Sequence, residues 1–168
     1  MYEYRSAIGQ DSHRFYAESE CTEKGERVLL LAGVPFPGEC PFIANSDGDV
    51  FLHALTNAVS GITGRNILGE VADKLCLEQG VTDSRMYLRE ALTDLGSWEI
   101  TCVSFSAECK KPKLFPRIQE MKESIGIMLN LSPLSVGITA TSGEGLSDCG
   151  RGLGMTVFCS VTVRREVR

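Results

Sequence analysis

The strongest constraint on the fold is a regular alternation of apolar and polar residues near the C-terminus. Within residues 154–163, every second position is apolar: Met155, Val157, Cys159, Val161 and Val163. A period of two predicts a β-strand with one buried face, because successive side chains of a strand point to opposite sides. The fold must therefore contain a sheet whose apolar face is covered by another layer.

The rest of the chain interleaves further strands with three helical patterns. Helices are predicted over residues 50–62, over 83–95 and from Pro116 onward, with Ser46 or Asp47 capping the first. The other predicted strands are residues 3–9, 27–34, 98–107 and 136–141. This order predicts a single α+β domain over residues 1–168, with a mixed β-sheet and helices on one face. The other sheet face then needs a cover, which self-association would provide.

Composition argues against several classes of protein. The 168 residues carry a formal net charge of -5, without the basic excess that a nucleic-acid binder needs. No stretch approaches the roughly 20 apolar residues of a membrane span, and no secretory signal is evident, so a cytoplasmic protein is expected. The seven cysteines are odd in number and form no C-x-x-C pair. Reduced thiols are therefore predicted, with neither a disulfide framework nor a cysteine zinc site.

Both histidines of the chain lie near carboxylates. Asp11 and His13 are two residues apart at the end of a predicted strand, so their side chains share a face. His53 lies in the next helix, four residues after Asp49. One carboxylate and two imidazoles with an open fourth position are typical of catalytic zinc. On spacing alone a structural alternative is favoured, in which Asp11 caps a turn and His53 is a core histidine bonded to Asp49.

Residues 139–145 combine hydroxyls, small residues and one carboxylate, Glu144. Small residues let a ligand approach the backbone closely, and Glu144 could hold a second, harder cation beside phosphate oxygens. Taken alone, an ordinary polar turn is the better explanation. The basic cluster of residues 110–113 fits a solvated loop and a place beside an anionic ligand equally well.

The order of these pieces resembles the 2-C-methyl-D-erythritol 2,4-cyclodiphosphate synthase family of the non-mevalonate isoprenoid pathway. The most specific element is the Asp-x-His pair at Asp11, followed by Ser-Asp-Gly-Asp-x-x-x-His over residues 46–53. Further matching blocks are residues 83–85, 112–118, 139–144 and 150–152. The resemblance runs from about residue 5 to residue 165.

This resemblance implies a homotrimer with active sites between neighbouring subunits. The enzyme would be a lyase acting on the cytidine diphosphate ester of 2-C-methyl-D-erythritol 2-phosphate. The substrate's own 2-phosphate would attack the β-phosphorus, giving the 2,4-cyclodiphosphate and CMP. Two alternatives remain open: a metal-dependent phosphoester hydrolase, and a trimer that binds cytidine nucleotides without catalysis.

The resemblance also implies roles for individual residues. Asp11, His13 and His53 would bind Zn²⁺, Glu144 would bind Mg²⁺ or Mn²⁺, and Arg151 would lie near the trimer axis. The residues implied in catalysis at the phosphates are Asn45, Ser46, Thr141 and Ser142. Those implied in substrate binding are Asp49, Gly69, Cys109, Pro112, Lys113, Leu114, Phe115, Ala140, Thr141 and Ser142, of which all but Asp49 and Gly69 would line the cytidine pocket.

Two departures from the family pattern stand out. Asn45 occupies a position where the family usually has histidine, and asparagine can donate a hydrogen bond but carries no charge. In residues 66–80, Ile67 stands in the place of a ribose-binding acid and Lys74 in that of an erythritol-binding acid. Asp73 or Glu70 could substitute after a shift of this segment.

Overall fold

The computed structural model describes residues 1–21 and 27–167 of the chain. Its strands are β1 (Tyr2–Arg14), β2 (Leu29–Leu31), β3 (Val34–Phe36), β4 (Glu99–Glu108), β5 (Val136–Thr141) and β6 (Gly154–Glu166). Its α-helices are α1 (Glu18–Cys21), α2 (Val50–Thr63), α3 (Glu70–Asp73), α4 (Ser84–Leu92), α5 (Ile118–Leu129) and α6 (Asp148–Arg151).

The main sheet has the strand order β1-β6-β4-β5 and is mixed. β6 is antiparallel to both of its neighbours, whereas β4 and β5 are parallel. The chain direction is therefore the same in β1, β4 and β5, and their C-terminal ends lie at one end of the sheet. This architecture confirms the predicted α+β class and mixed sheet.

The alternating pattern that predicted β6 is confirmed by its burial. The five apolar residues from Met155 to Val163 are fully buried, and the side chains between them point to the opposite face. Val103, Phe105 and Ala107 of β4 extend this buried face. The core of the protein lies between this face and the helices.

Helix α2 packs against β1 and β6 at very short range because β1 has a glycine at the crossing point. A Cβ atom on Gly9 would lie only 2.2 Å from the backbone oxygen of Ala54 and from the backbone nitrogen of Ala58. No larger residue fits there without moving the helix. This close approach brings the N-terminal half of α2 beside the end of β1.

The N-terminus of α2 is capped by Asp49, which corrects the prediction that Ser46 or Asp47 does so. The fully buried Asp49 carboxylate accepts hydrogen bonds from the backbone N–H groups of Leu52 (3.1 Å), Ala32 (2.9 Å) and Gly33 (2.6 Å). Burial raises the pKa of Asp49, and the three N–H donors act in the opposite direction. Asp49 thereby joins the helix to the turn between β2 and β3.

The opposite face of the sheet is exposed in the single chain. It consists largely of small polar side chains, including Ser6 and Thr162, whose hydroxyl oxygens lie 2.9 Å apart. Two larger apolar residues stand among them, Ile8 at 68% exposure and Phe158 at 42%. The expected one-sided placement of the helices is thus confirmed.

Three local features differ from the sequence-based prediction. The strand expected over residues 27–34 is shorter and belongs to a separate hairpin of β2 and β3. Residues 66–80 contain α3 and a π-helical turn over Lys74–Glu78, where no element was predicted. Cys21 and Cys40 form a disulfide with a Cα–Cα distance of 5.4 Å, so the prediction of reduced thiols throughout is wrong for this pair.

Among the described residues, no helix combines the length and the apolar character needed to cross a bilayer. Arg168 lies outside the described residues.

Candidate metal centre

Asp11, His13 and His53 bring three potential ligand atoms together. The Oδ2 atom of Asp11 lies 3.1 Å from Nε2 of His13 and 3.0 Å from Nδ1 of His53. The two ring nitrogens are themselves 3.1 Å apart. Among the described residues, the His, Cys, Asp and Glu side chains that lie close enough together to hold a metal ion are these three.

The fold explains why these three side chains meet. Asp11 and His13 alternate with outward-facing residues of β1, and their side chains lie on the side covered by α2. His53 is in the first turn of α2, and the close packing at Gly9 brings this turn against β1. Phe42 packs at 5.5 Å from the His13 ring and limits its orientation.

The donor set fits a divalent metal of the zinc type. Ligand distances of roughly 2.0–2.2 Å in a tetrahedral site place neighbouring ligand atoms roughly 3.3–3.6 Å apart. The observed triangle, with edges of 3.0–3.1 Å, is only slightly tighter than that. Burial by itself raises the pKa of Asp11, but its contacts with His13 and His53 outweigh burial and lower it to about 2. The carboxylate is thus ionised, as a metal ligand must be.

A second layer of hydrogen bonds lies behind His53. Its Nε2 atom is 2.8 Å from the hydroxyl oxygen of the fully buried Ser84. The Ser84 hydroxyl in turn contacts Asp47 Oδ1, and the Ser84 backbone N–H donates to Asp47 Oδ2 at 3.0 Å. The expected partner of His53 was Asp49, but Asp49 is occupied as a helix cap. The sequence offered one signal for Ser84, its place in the Asp-Ser-Arg block.

A cavity of about 490 Å³ opens beside the three ligands. Its lining residues include Asp11, His13, Asn45, Ser46, His53, Gly69, Asp73 and Cys76. Two residues at which the sequence departs from the family pattern, Ile67 and Lys74, do not line it. Ile67 is fully buried in the core, and Lys74 forms an ion pair with Glu70 at 2.9 Å. The acidic residues among the described lining residues are Asp11 and Asp73.

The loop that carries Asn45 and Ser46 is held by an arginine, Arg27, that no sequence motif singled out. Arg27 donates hydrogen bonds to the carbonyl oxygens of Ala44 at 3.1 Å and of Ser46 at 2.5 Å. On the cavity side, the Cys76 thiol contacts the carbonyl oxygen of Asn45 at 3.6 Å. The Arg27 guanidinium therefore places a positive charge beside this loop. Asn45, which stands where the family usually has histidine, contributes no charge of its own.

The predicted cytidine-binding residues lie elsewhere, in residues 109–115 and 139–145, here called the cytidine-side segments. These segments follow β4 and form the end of β5, the edge strand opposite β1. Cys109, Pro112 and Leu114 are buried, whereas Lys113, Phe115, Ala140 and Thr141 are exposed. The described residues lining the cavity at the metal centre include none from these segments.

The remaining predicted residues lie in the turn after β5 and in α6, a helix that also borders the end of β1 through an ion pair of Asp148 with Arg14 at 3.8 Å. Glu144 is exposed on a turn with a positive φ of 49°, and its carboxylate is 3.4 Å from the Ser142 hydroxyl. Arg151 ends α6 and pairs with Asp148 at 2.6 Å. Glu144 is not part of the three-ligand group.

A carboxylate and two histidines, partly buried at the mouth of a cavity, define the class of a metal-dependent enzyme. Comparison with known proteins agrees with this class. The pattern of the YgbB family matches residues 4–164. A relative in Chlamydia caviae, named 2-C-methyl-D-erythritol 2,4-cyclodiphosphate synthase, is 50% identical over 161 residues, covering 95% of this chain and 89% of the relative.

Two solved structures are similar over nearly the whole chain. The bifunctional IspDF of Campylobacter jejuni matches with a TM-score of 0.85 and 29% identity, over 99% of this chain and 43% of that larger protein. A CDP-bound 2C-methyl-D-erythritol-2,4-cyclodiphosphate synthase matches with a TM-score of 0.70 and 26% identity, over 95% of this chain and 99% of that one. The chain belongs to the YgbB family, and the resemblance seen in the sequence is confirmed.

Proposed function

We propose that this chain catalyses the metal-dependent cyclisation of 4-diphosphocytidyl-2-C-methyl-D-erythritol 2-phosphate. The products are 2-C-methyl-D-erythritol 2,4-cyclodiphosphate and CMP. The observation that carries the proposal is the Asp11–His13–His53 centre at the mouth of a cavity, in a chain 50% identical to a relative bearing the name of this synthase. The enzyme would thus be a phosphorus–oxygen lyase of isoprenoid biosynthesis.

The reaction needs no nucleophile from the protein. An oxygen of the substrate's 2-phosphate forms a bond to the β-phosphorus, and the bond from that phosphorus to the oxygen shared with the α-phosphate breaks. The electron pair leaves with CMP. Because both reacting groups belong to one molecule, the main task of the chain is to fold the substrate so that they meet in line.

Asp11, His13 and His53 would hold Zn²⁺, and Glu144 would hold Mg²⁺ or Mn²⁺. When bound, such ions polarise phosphate oxygens and neutralise the charge that develops on the leaving group. The exposed position of Glu144 and its short polar neighbours suit a harder, oxygen-bound cation.

The loop at Asn45 and Ser46 would bind the phosphates. Both residues line the cavity beside the three ligands. The Ser46 hydroxyl oxygen accepts from the backbone N–H of Gly48 at 3.2 Å, which leaves its hydrogen available to a phosphate oxygen. Asn45 would donate from its amide group, and Arg27 behind the loop would contribute the positive charge that Asn45 lacks.

Asp73 would bind the hydroxyl groups of the substrate. It lines the cavity together with Gly69, whereas Glu70 forms an ion pair with Lys74 outside the lining. Of the two acids that could replace the family's missing carboxylates, Asp73 is therefore favoured. We assign no such role to Asp49, whose fully buried carboxylate caps α2.

The cytidine-side segments would bind the nucleotide, with Thr141 and Ser142 near the phosphates. Residues 139–145, at the end of β5, lie three strands away from β1, and residues 109–115, after β4, lie two strands away; these are distances of roughly 14 Å and 10 Å at the usual strand spacing of about 4.8 Å. A second copy of the chain could place its segments over the metal centre. The exposed sheet face, with Ile8 and Phe158, supports such self-association as a homotrimer with Arg151 near its axis.

We also propose a cytoplasmic location, where phosphorylated intermediates of biosynthesis are made. The Cys21–Cys40 disulfide would then be a reducible bond, since reducing compartments keep most thiols reduced.

Phosphorus NMR of the purified protein, with the cytidylyl substrate, Zn²⁺ and Mg²⁺, tests the proposed function. The expected result is a cyclic diphosphate together with CMP, and loss of both products in the His53→Ala variant. A linear phosphate product would indicate the hydrolase instead. Intact substrate in a zinc-loaded protein that binds CMP would indicate the non-catalytic trimer.

A further inference from the structure

Ser84 connects His53 to a carboxylate that the proposed reaction does not use. It is the first residue of α4, it is fully buried, and it comes 31 residues after His53 in the chain. Its hydroxyl contacts His53 Nε2 at 2.8 Å and also contacts Asp47 Oδ1. Its backbone N–H donates to Asp47 Oδ2 at 3.0 Å. Both oxygens of the Asp47 carboxylate are therefore directed at one serine.

The donors and acceptors in this chain of contacts allow one arrangement when Asp47 is ionised. A carboxylate can only accept, so the single hydroxyl hydrogen of Ser84 is donated to Asp47. The Ser84 oxygen then has only lone pairs left for His53. The contact at 2.8 Å consequently requires a hydrogen on Nε2 of His53.

A neutral imidazole carries one ring hydrogen, so a hydrogen on Nε2 leaves a lone pair on Nδ1. That lone pair points at the place where the ligand atoms of Asp11 and His13 lie, 3.0 Å and 3.1 Å away. With a cation between them, the lone pairs of Nδ1 and of Asp11 Oδ2, two atoms that lie 3.0 Å apart, would both be directed at it. Such a pair is stabilised by a cation and not by a further hydrogen-bond acceptor.

We infer that Asp47 and Ser84 are positioning residues that fix His53 as the Nε2–H tautomer and so present Nδ1 to the metal. The inference rests on the proposed metal centre and extends it by two residues that touch neither metal nor substrate. Asp47 is itself held in place, because its backbone N–H donates to the carbonyl oxygen of Thr82 at 2.8 Å and its Oδ1 accepts from the Asp49 N–H at 3.1 Å.

The test compares Ser84→Ala with Ser60→Ala. Ser60 is a matched control because it is also buried, on the same helix as His53, and its hydroxyl has no hydrogen-bond partner among the described residues. Zinc affinity is measured by competition with a chelator, without substrate. Ser84→Ala should bind zinc about 10- to 100-fold more weakly, as for other partners of metal-bound histidines, and Ser60→Ala should bind it like the parent.

A second measurement separates tautomer control from general support of the fold. The chain has only two histidines, so ¹⁵N NMR of the imidazole rings in the protein saturated with Zn²⁺ gives few and assignable signals. His53 should be the Nε2–H tautomer in the parent and in Ser60→Ala, and a mixture of tautomers in Ser84→Ala. In Asp47→Asn, His53 should also become a mixture of tautomers. In Ser84→Thr, which keeps the hydroxyl, His53 should have the parent tautomer.

Unchanged zinc affinity and an unchanged His53 tautomer in both Ser84→Ala and Asp47→Asn would overturn the inference. Weaker zinc binding with an unchanged tautomer would also overturn it, since the effect would then be general destabilisation. Both readouts are independent of substrate, so a failed cyclisation assay would contradict the proposed function and leave this test intact.

Discussion

The metal centre and the cytidine-side segments differ in how far each is buried and contacted within a single chain. At the metal centre, His53 is buried and its partners Asp11, His13 and Ser84 lie 31 to 42 residues away in the same chain. In the cytidine-side segments, contacts such as that of Ser142 with Glu144 are local, and Phe115 is 88% exposed. The single chain thus assembles its candidate metal ligands by itself, whereas the surface proposed to bind the nucleotide is exposed in the single chain.

The largest effect is expected from removing a metal ligand. His53→Ala should abolish zinc binding and lower turnover by roughly 10³-fold or more, the scale on which removal of a charge-stabilising group acts. Metal content after dialysis and turnover under excess substrate check this, with Asn57→Ala on the same helix as a control. Parent-like zinc content in His53→Ala would contradict the assignment of the ligands.

The packing that creates the metal centre is expected to depend on Gly9. Gly9→Ala would place a Cβ atom 2.2 Å from the backbone of α2, so the helix must shift, at a cost of about 1–3 kcal/mol or more. Zinc affinity should fall together with the free energy of unfolding. The control is Gly137→Ala, where the added Cβ lies 3.3 Å from a serine side chain of β4. Equal denaturation midpoints for the two variants would contradict the dependence of the metal centre on the packing of α2 against Gly9.

The cytidine-side segments should show the opposite behaviour, a loss of binding without a loss of stability. Phe115→Ala should weaken CMP binding about 10- to 100-fold, since stacking of a base on an aromatic ring contributes about 1–3 kcal/mol. The unfolding free energy should change by less than about 0.5 kcal/mol, because Phe115 is 88% exposed. Leu134→Ala, at a residue 92% exposed, is the control in calorimetric titrations with CMP.

The smallest effect is expected at the cavity wall, where either Asp73 or Glu70 could bind the hydroxyl groups of the substrate. Asp73→Asn should raise KM for the substrate by roughly ten-fold, the scale of a hydrogen bond to a charged group. Glu70→Gln should leave KM unchanged, because Glu70 is engaged with Lys74 outside the cavity lining. Steady-state kinetics on the two variants decides between them, and a reversed result would move the hydroxyl-binding role to Glu70.

Sequence patterns were sufficient for the elements with strong periodicity. The helix predicted over residues 50–62 is α2, and the alternation over residues 154–163 lies within β6. The cap of α2 was misplaced because Ser46, Asp47 and Asp49 are all good capping residues, and only the buried contact with the β2–β3 turn selects Asp49.

The parts that could not be predicted depend on contacts between distant residues. The role of Ser84 is visible only when α4 packs beside α2, and the Cys21–Cys40 pairing cannot be deduced from cysteine spacing. Family resemblance supplied the ligand set, which spacing alone left undecided. The cytidine-side residues were also named by resemblance, and the fold adds that Lys113, Phe115, Ala140 and Thr141 are exposed in one chain.

The most direct test of the account mixes two inactive variants, one lacking the metal centre (His53→Ala) and one lacking the cytidine side (Lys113→Ala with Glu144→Ala). If each site combines the metal centre of one subunit with the cytidine-side segments of its neighbour, random assembly of equal amounts should restore about one quarter of the parental turnover. Restored turnover in co-expressed mixed oligomers is the predicted result. No turnover in mixed oligomers, although each parent protein assembles normally, would contradict a site shared between two copies of the chain.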